Sequence, residues 1–324
     1  IGNPDRFLGR IAAAIGHLVY TRATAFAIAG LFLFAWVVLL SDVDRFVADI
    51  KRFFELKWIV EQPLVFLLIW TLGPAQIFLH ETAHGLTCRY FGGRVREMGL
   101  LIAYLQPTAY CDISSTYLLD NKWRRALTCY AGIIIDSVVW SGFVLLYHVT
   151  DSSSLVGLLA LISIPVKLQS MIAGTNPLIR GDGYFALTEL VNYPNLSGDA
   201  RAFVKARVLR LVTGEEQDLP DGAAGHERLF WTYTVGSSVA VGVVLVPLLV
   251  SIGGYLVSRL QSLGVLLAAL IIYFVIGRHL LRLLRAMWRG RAVLRRSARA
   301  RRLAAAAMAV LIGAMLLPVR VTID

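Results

Sequence analysis

Long runs of uncharged apolar residues constrain this chain more than any other feature. Residues 23–41 carry no charge and are rich in Phe, Leu and Val. As a helix, such a run is long enough to cross roughly 30 Å of hydrocarbon. Comparable runs recur at 63–79, at 126–147 (interrupted by Asp136) and at 155–175 (interrupted by Lys167), then at 231–258, 260–277 and 303–319. The expected fold class is an all-α polytopic membrane protein with about seven transmembrane helices. Residues 98–109 are apolar but too short to cross, and they contain Pro107. They are expected to form a short β-hairpin or re-entrant segment packed inside the bundle. Composition agrees, with 57% hydrophobic and 16% charged residues, against about 45–50% and about 25% in soluble domains. A disordered chain and an ordinary soluble domain are both excluded. Cys88, Cys111 and Cys129 are odd in number and irregular in spacing, so they suit helix packing rather than a disulfide framework. The first apolar run has no small-residue cleavage pattern behind it and is taken as a span, not a signal peptide.

The net charge of +11 is distributed in a way that orients the chain. Arg6, Arg10 and Arg22 precede the first run, and Asp42 and Asp44 follow it. Arg89, Arg94, Arg96, Lys122, Arg124 and Arg125 fall between the second and third runs, whereas Asp151 separates the third and fourth. A cytoplasmic N-terminus puts the basic clusters inside; Lys51, Arg52 and Lys57 are the exceptions, partly offset by Asp49, Glu55 and Glu61. Ten arginines and no acidic residue lie in 278–302, interleaved with leucines. That pattern suits a helix leaving the headgroups among anionic lipids, ahead of an acidic protein partner and well ahead of nucleic acid. Residues 42–58 form an external connection in which Phe46, Ile50, Phe53 and Phe54 recur at helical spacing. Either a helix on the outer surface or an ordinary packed loop helix fits it.

The sharpest chemical signal is His80-Glu81-Thr82-Ala83-His84. Two histidines four residues apart share one face of a helix and can hold one Zn²⁺, with Glu81 as general base on the metal's water. Polar packing between helices and a non-catalytic metal site are the alternatives. A catalytic zinc needs a third protein ligand. Asp182 is the first candidate, because the second and fourth runs both end on the cytoplasmic side. Gly181 and Gly183 flank it, and Asn176-Pro177 breaks the preceding helix. Asp136 is the rival ligand, placed deeper in the membrane. Asp112, polar among apolar residues, orients the strand piece or a ligand, or has a plain structural role. His17, His148, His226 and His279 lie near span ends or in loops and suit interface or surface positions.

Beyond the zinc motif the chain continues through Cys88-Arg89-Tyr90-Phe91-Gly92-Gly93-Arg94-Val95 and Tyr110-Cys111-Asp112-Ile113-Ser114. Ala131-Gly132, Asn176-Pro177, Asp182-Gly183-Tyr184 and Pro194-Asn195-Leu196 follow in order. Together, over residues 62–200, these resemble the site-2 protease, or M50, family of intramembrane zinc metalloproteases, in its bacterial peptide zinc metalloprotease branch. The resemblance implies that His80, His84 and Asp182 are zinc ligands and Glu81 the base. It also implies that a strand pair after the catalytic helix presents an unwound substrate, with Gly92-Gly93 as its turn and 95–103 as its edge. Asn176 would add a hydrogen bond to substrate or oxyanion. Two departures stand out: Gly181 precedes Asp182 where Leu is usual, and Ile133 follows Ala131-Gly132 where Pro is usual.

The implied organisation is an N-terminal span with an external loop (1–58), a catalytic membrane core (59–200), a cytoplasmic connection (201–230) and a C-terminal transmembrane region (231–324). The implied activity is zinc-dependent hydrolysis of a peptide bond in a membrane protein or an exported peptide precursor. The implied location is a bacterial inner membrane, with the N-terminus and the active-site end cytoplasmic. The competing reading is a proteolytically silent relative acting as scaffold or assembly factor in a membrane complex. A transporter would show paired repeats of broken helices, and none is visible.

Overall fold

The computed structural model describes residues 4–53, 63–103, 106–213, 216, 218–278 and 281. The chain divides into two compact units, Ile1–Pro194 and Asn195–Asp324. In the first, helices α1 (Pro4–Val19), α2 (Arg22–Ser41), α3 (Val43–Phe53) and α4 (Pro63–Tyr90) precede strands β1 (Met98–Ala103) and β2 (Gln106–Cys111). A 3-10 turn (Ser114–Leu118), α5 (Lys122–Val149), α6 (Leu155–Thr175) and α7 (Asp182–Val191) complete it. The second unit holds α8 (Leu196–Thr213) and α9 (Glu227–Ile272), which passes into a π-helical turn, Tyr273–Gly277.

Local chemistry sets the helix starts. Thr21 accepts from Thr24 N (3.1 Å), Asn121 from Trp123 N (2.8 Å) and Ser154 from Gly157 N (3.1 Å). Each takes up an amide that the first helical turn leaves without a partner. Four helices are long and apolar enough to cross a membrane: Arg22–Ser41, Lys122–Val149, Leu155–Thr175 and Glu227–Val275. The last of these is broken at Gln261 (φ 48, ψ −120). A Cβ built on Gly253 would lie 3.7 Å from that of Ala268, although a straight helix would hold these residues roughly 20 Å apart. The helix therefore folds back on itself, at the junction expected between the runs 231–258 and 260–277. The expected second run falls on α4. The run 303–319, and the arginine-rich 278–302 apart from Arg278 and Leu281, lie outside the described residues.

α2, α5 and α6 share a core of Ala35, Leu39, Trp140, Val144, Tyr147, Leu158, Leu161 and Ile164. Phe46, Ile50 and Phe53 of α3 pack against it, as a packed loop helix would. Tyr147 donates to Asp49 (2.7 Å) and Arg45 donates to the Thr150 carbonyl (2.8 Å), closing α3 onto the end of α5.

The segment 98–109 takes the hairpin form, paired antiparallel from Met98↔Cys111 to Ala103↔Gln106. β2 lies against α4, leaving β1 as the outer strand, with Leu100, Leu101 and Ile102 exposed. The turn expected at Gly92-Gly93 is not the hairpin's turn, and the edge strand starts at Met98 rather than Val95. Gly92 (φ 93) instead ends α4, where its amide reaches the Arg89 carbonyl (3.1 Å) and that of Gly93 reaches Cys88 (2.9 Å). Only a residue without Cβ adopts this left-handed conformation readily.

Helix α1 was not anticipated from the sequence. Leu8, Ala12 and Gly16 are buried, and a Cβ on Gly85 of α4 would press on Leu8. Tyr20 stacks on Tyr90 (4.2 Å between centroids), and its hydroxyl meets that of Thr87 (2.8 Å). Asp5 accepts from Val95 N (2.9 Å) and pairs with Arg89 Nε (3.3 Å). α1 thus holds both the end of the motif helix and the lead-in to β1.

Candidate metal centre

Three helices build the centre. α4 supplies His80 and His84 one turn apart, α7 opens with Asp182 after an extended Gly181, and α5 runs past them at Gly132. A Cβ at Gly132 would collide with Nε2 of both histidines, so a bare backbone is required at that point.

Hydrogen bonds fix how each imidazole points. His84 Nδ1 lies 2.7 Å from the Thr128 carbonyl oxygen. A carbonyl only accepts, so Nδ1 carries a hydrogen. His80 Nδ1 lies 3.0 Å from Asp136 Oδ2, a carboxylate, so this nitrogen also carries a hydrogen. The two Nε2 atoms then face each other at 3.1 Å, and Asp182 Oδ2 sits 3.0 Å from one and 3.5 Å from the other. Ligand atoms about 2.0–2.1 Å from a tetrahedral zinc are separated by roughly 3.3–3.4 Å. The three atoms match that spacing, all ligand atoms of the cluster lie within 4.8 Å of one another, and the donor set can hold a metal ion.

Glu81 lines a cavity of about 320 Å³ together with His84, Asp182, Cys111, Tyr117 and Phe185. Cys111, the last residue of β2, lines the same cavity as Glu81. Burial pushes the Cys111 thiol up to about 12, so it remains a neutral thiol beside the metal ligands. Arg125 donates to Glu189 Oε2 (2.5 Å), the Leu119 carbonyl (2.8 Å) and Asn192 Oδ1 (3.1 Å), joining α5 to the end of the 3-10 turn and to α7.

The remaining candidates are placed differently. Asp136, weighed as a rival ligand, bonds the far nitrogen of His80 and also accepts from Lys167 Nζ at 2.5 Å. Its carboxylate, one turn beyond Gly132 on α5, lies on the Nδ1 side of the His80 ring, away from the point where the Nε2 atoms meet. Asp112 caps the 3-10 turn, accepting from the amide (2.9 Å) and the hydroxyl of Ser114. Those two bonds hold its carboxyl below the usual carboxylate range. Asn176 Oδ1 accepts from Leu178 N (2.9 Å), closing the turn after α6. His148 pairs with Asp42 (2.5 Å), His226 Nδ1 meets the Gly222 carbonyl (3.0 Å), and His17 is exposed; His279 lies outside the described residues. The sequence reading registered Lys167 only as an interruption of an apolar run. Its signal was an opposite charge, Asp136, in the neighbouring run.

No protein-family model, curated protein or solved structure matches the chain. The chemistry of the site therefore rests on its own geometry: two imidazoles and a carboxylate aimed at one point, with a second carboxylate beside them in a cavity.

Proposed function

We propose that the chain is an intramembrane zinc endopeptidase of the site-2 protease class, cutting a membrane protein or an exported peptide precursor. The observation that carries this reading is the convergence of His80 Nε2, His84 Nε2 and Asp182 Oδ2 beside Glu81, on a helix whose preceding turns are apolar. Those three residues would hold the zinc. When bound, it supplies Lewis-acid activation of water and of the scissile carbonyl.

Glu81 accepts the proton of the attacking water and returns a proton to the leaving amine. A peptide must be extended to be cut, and the outer position of β1 supports capture of an extended chain by backbone hydrogen bonds. Asn176, engaged at the turn after α6, serves to hold the segment carrying Asp182.

The apolar runs supply about seven spans, and the positive-inside rule puts the N-terminus in the cytoplasm. In that arrangement the centre lies near the cytoplasmic face of a bacterial inner membrane, and 278–302 contacts anionic lipid.

The test compares zinc content and cleavage of co-expressed candidate substrates between wild type and Glu81→Gln. Zinc retained with cleavage lost is the expected result. Wild type purified without zinc, or equal cleavage by both proteins, overturns the reading. Zinc bound by a wild type that cuts nothing favours a silent scaffold in a membrane complex.

A further inference from the structure

Lys167 is the one charge in the apolar run of α6, and none of the steps above uses it. It is 4% exposed and Asp136 is 1% exposed. Lys167 Nζ donates to Asp136 Oδ1 at 2.5 Å, while Asp136 Oδ2 takes the Nδ1 hydrogen of His80 at 3.0 Å. Both carboxylate oxygens are thus committed, one to each side. One turn before His80, Gln76 Nε2 reaches Ser163 Oγ at 3.3 Å. This second polar rung joins the same pair of helices, α4 and α6, at a fixed rotation.

A buried charge pair is a poor device for stability alone, because apolar residues of similar volume commonly serve as well. Ionisable groups inside membrane segments more often mark a functional path or site. Here the pair ends on the ring of a metal-ligand candidate. The two histidines are also supported unequally: His84 donates to a neutral carbonyl, His80 to a carboxylate. A carboxylate behind the imidazole fixes its tautomer and orientation and makes its free nitrogen a stronger donor.

We propose that Asp136 and Lys167 form a positioning pair for His80. Asp136 aims Nε2 of the ring at the point shared with His84 and Asp182. Lys167 holds that carboxylate in place and balances its charge within the apolar interior. This inference rests on the metal reading above.

The experiment uses the full chain purified in detergent. Zinc affinity is measured by competition with a chromophoric chelator, and ligand geometry by the visible spectrum of the cobalt-substituted protein. The variants are Asp136→Asn, Lys167→Met, the double variant, and Lys167→Arg. The double variant removes both charges, so it leaves no unpaired ion to prevent folding. Its zinc affinity is expected to fall about 10–100-fold, with altered cobalt bands and a metal-free melting temperature close to wild type. Asp136→Asn is expected to weaken zinc binding as the double variant does but also to lower the metal-free melting temperature, because it leaves the Lys167 ammonium buried without a counter-charge; Lys167→Arg is expected to keep wild-type binding and spectrum. A double variant with wild-type affinity and an unchanged cobalt spectrum overturns the proposal. Zinc held by wild type and lost by the double variant supports it even if no peptide is cut, which separates it from the protease reading. A wild type that binds no metal defeats both.

Discussion

Gly132 is the tightest point of the centre at the scale of single residues. Its backbone passes where any side chain would strike the Nε2 atoms of His80 and His84. Gly132→Ala is therefore expected to weaken zinc binding by on the order of tenfold or more, the scale seen when the support of a metal ligand is disturbed. Chelator competition measures this, with circular dichroism as the check that the helices persist. Asp112 gives a prediction with a defined sign. Its carboxyl is depressed by the Ser114 contacts, so those contacts stabilise the folded turn above the ordinary carboxylate range. They are lost as the pH falls through the depressed value. Ser114→Ala should move the Asp112 titration upward toward the ordinary value, as NMR of the carboxyl carbon would show. An unmoved titration would mean that the hydroxyl contributes nothing.

At the scale of elements, α1 and the fold-back in α9 decide most. Asp5 places a carboxylate on Val95 N just before β1 and on Arg89 at the end of α4. Asp5→Ala should cost about 1–2 kcal/mol of stability, the loss expected for a charge-assisted hydrogen bond, read by thermal or denaturant unfolding. Under the proposed protease function, cleavage should fall further than stability alone explains, because the lead-in to the outer strand loosens. Gln261 occupies a positive-φ conformation that suits glycine. Gln261→Gly should accordingly stabilise the chain by about 1 kcal/mol, and a loss of stability would contradict a sharp reversal there. The sequence showed where the apolar run of α9 divides but not how it turns, since no Gly or Pro stands at Gln261 itself. It also missed α1, whose buried face of Leu8, Ala12 and Gly16 gains meaning only from the surface of α4 beside it.

For the whole molecule, the alternation of basic and acidic connections makes a topological prediction. Alkaline phosphatase fused after Asp151 should be active, reporting an external loop, and fused after Pro194 it should be silent. The reverse pattern would invert the orientation and move the centre to the outer face. The four apolar helices and the hairpin fit a chain built for lipid, where helices associate through close packing of small residues and satisfied polar groups. The Lys167–Asp136 pair and the Gln76–Ser163 contact are such groups, set between helices whose apolar surfaces carry little specificity of their own.

Properties that depend on short-range periodicity were legible in the residues alone. The apolar runs declare a membrane chain because each must satisfy its own backbone over a fixed thickness, and His80 and His84 share a face because a helix repeats every 3.6 residues. Asp182 could be ranked first from topology, since two runs ending on one side bring their ends together. Which nitrogen of each histidine is free, and whether Asp136 or Asp182 meets it, depends on the rotation of three helices about their axes. Periodicity does not encode those rotations. They come from contacts such as Gly132 against the imidazoles and Lys167 against Asp136, which join residues far apart in the chain and exist only once the bundle has packed.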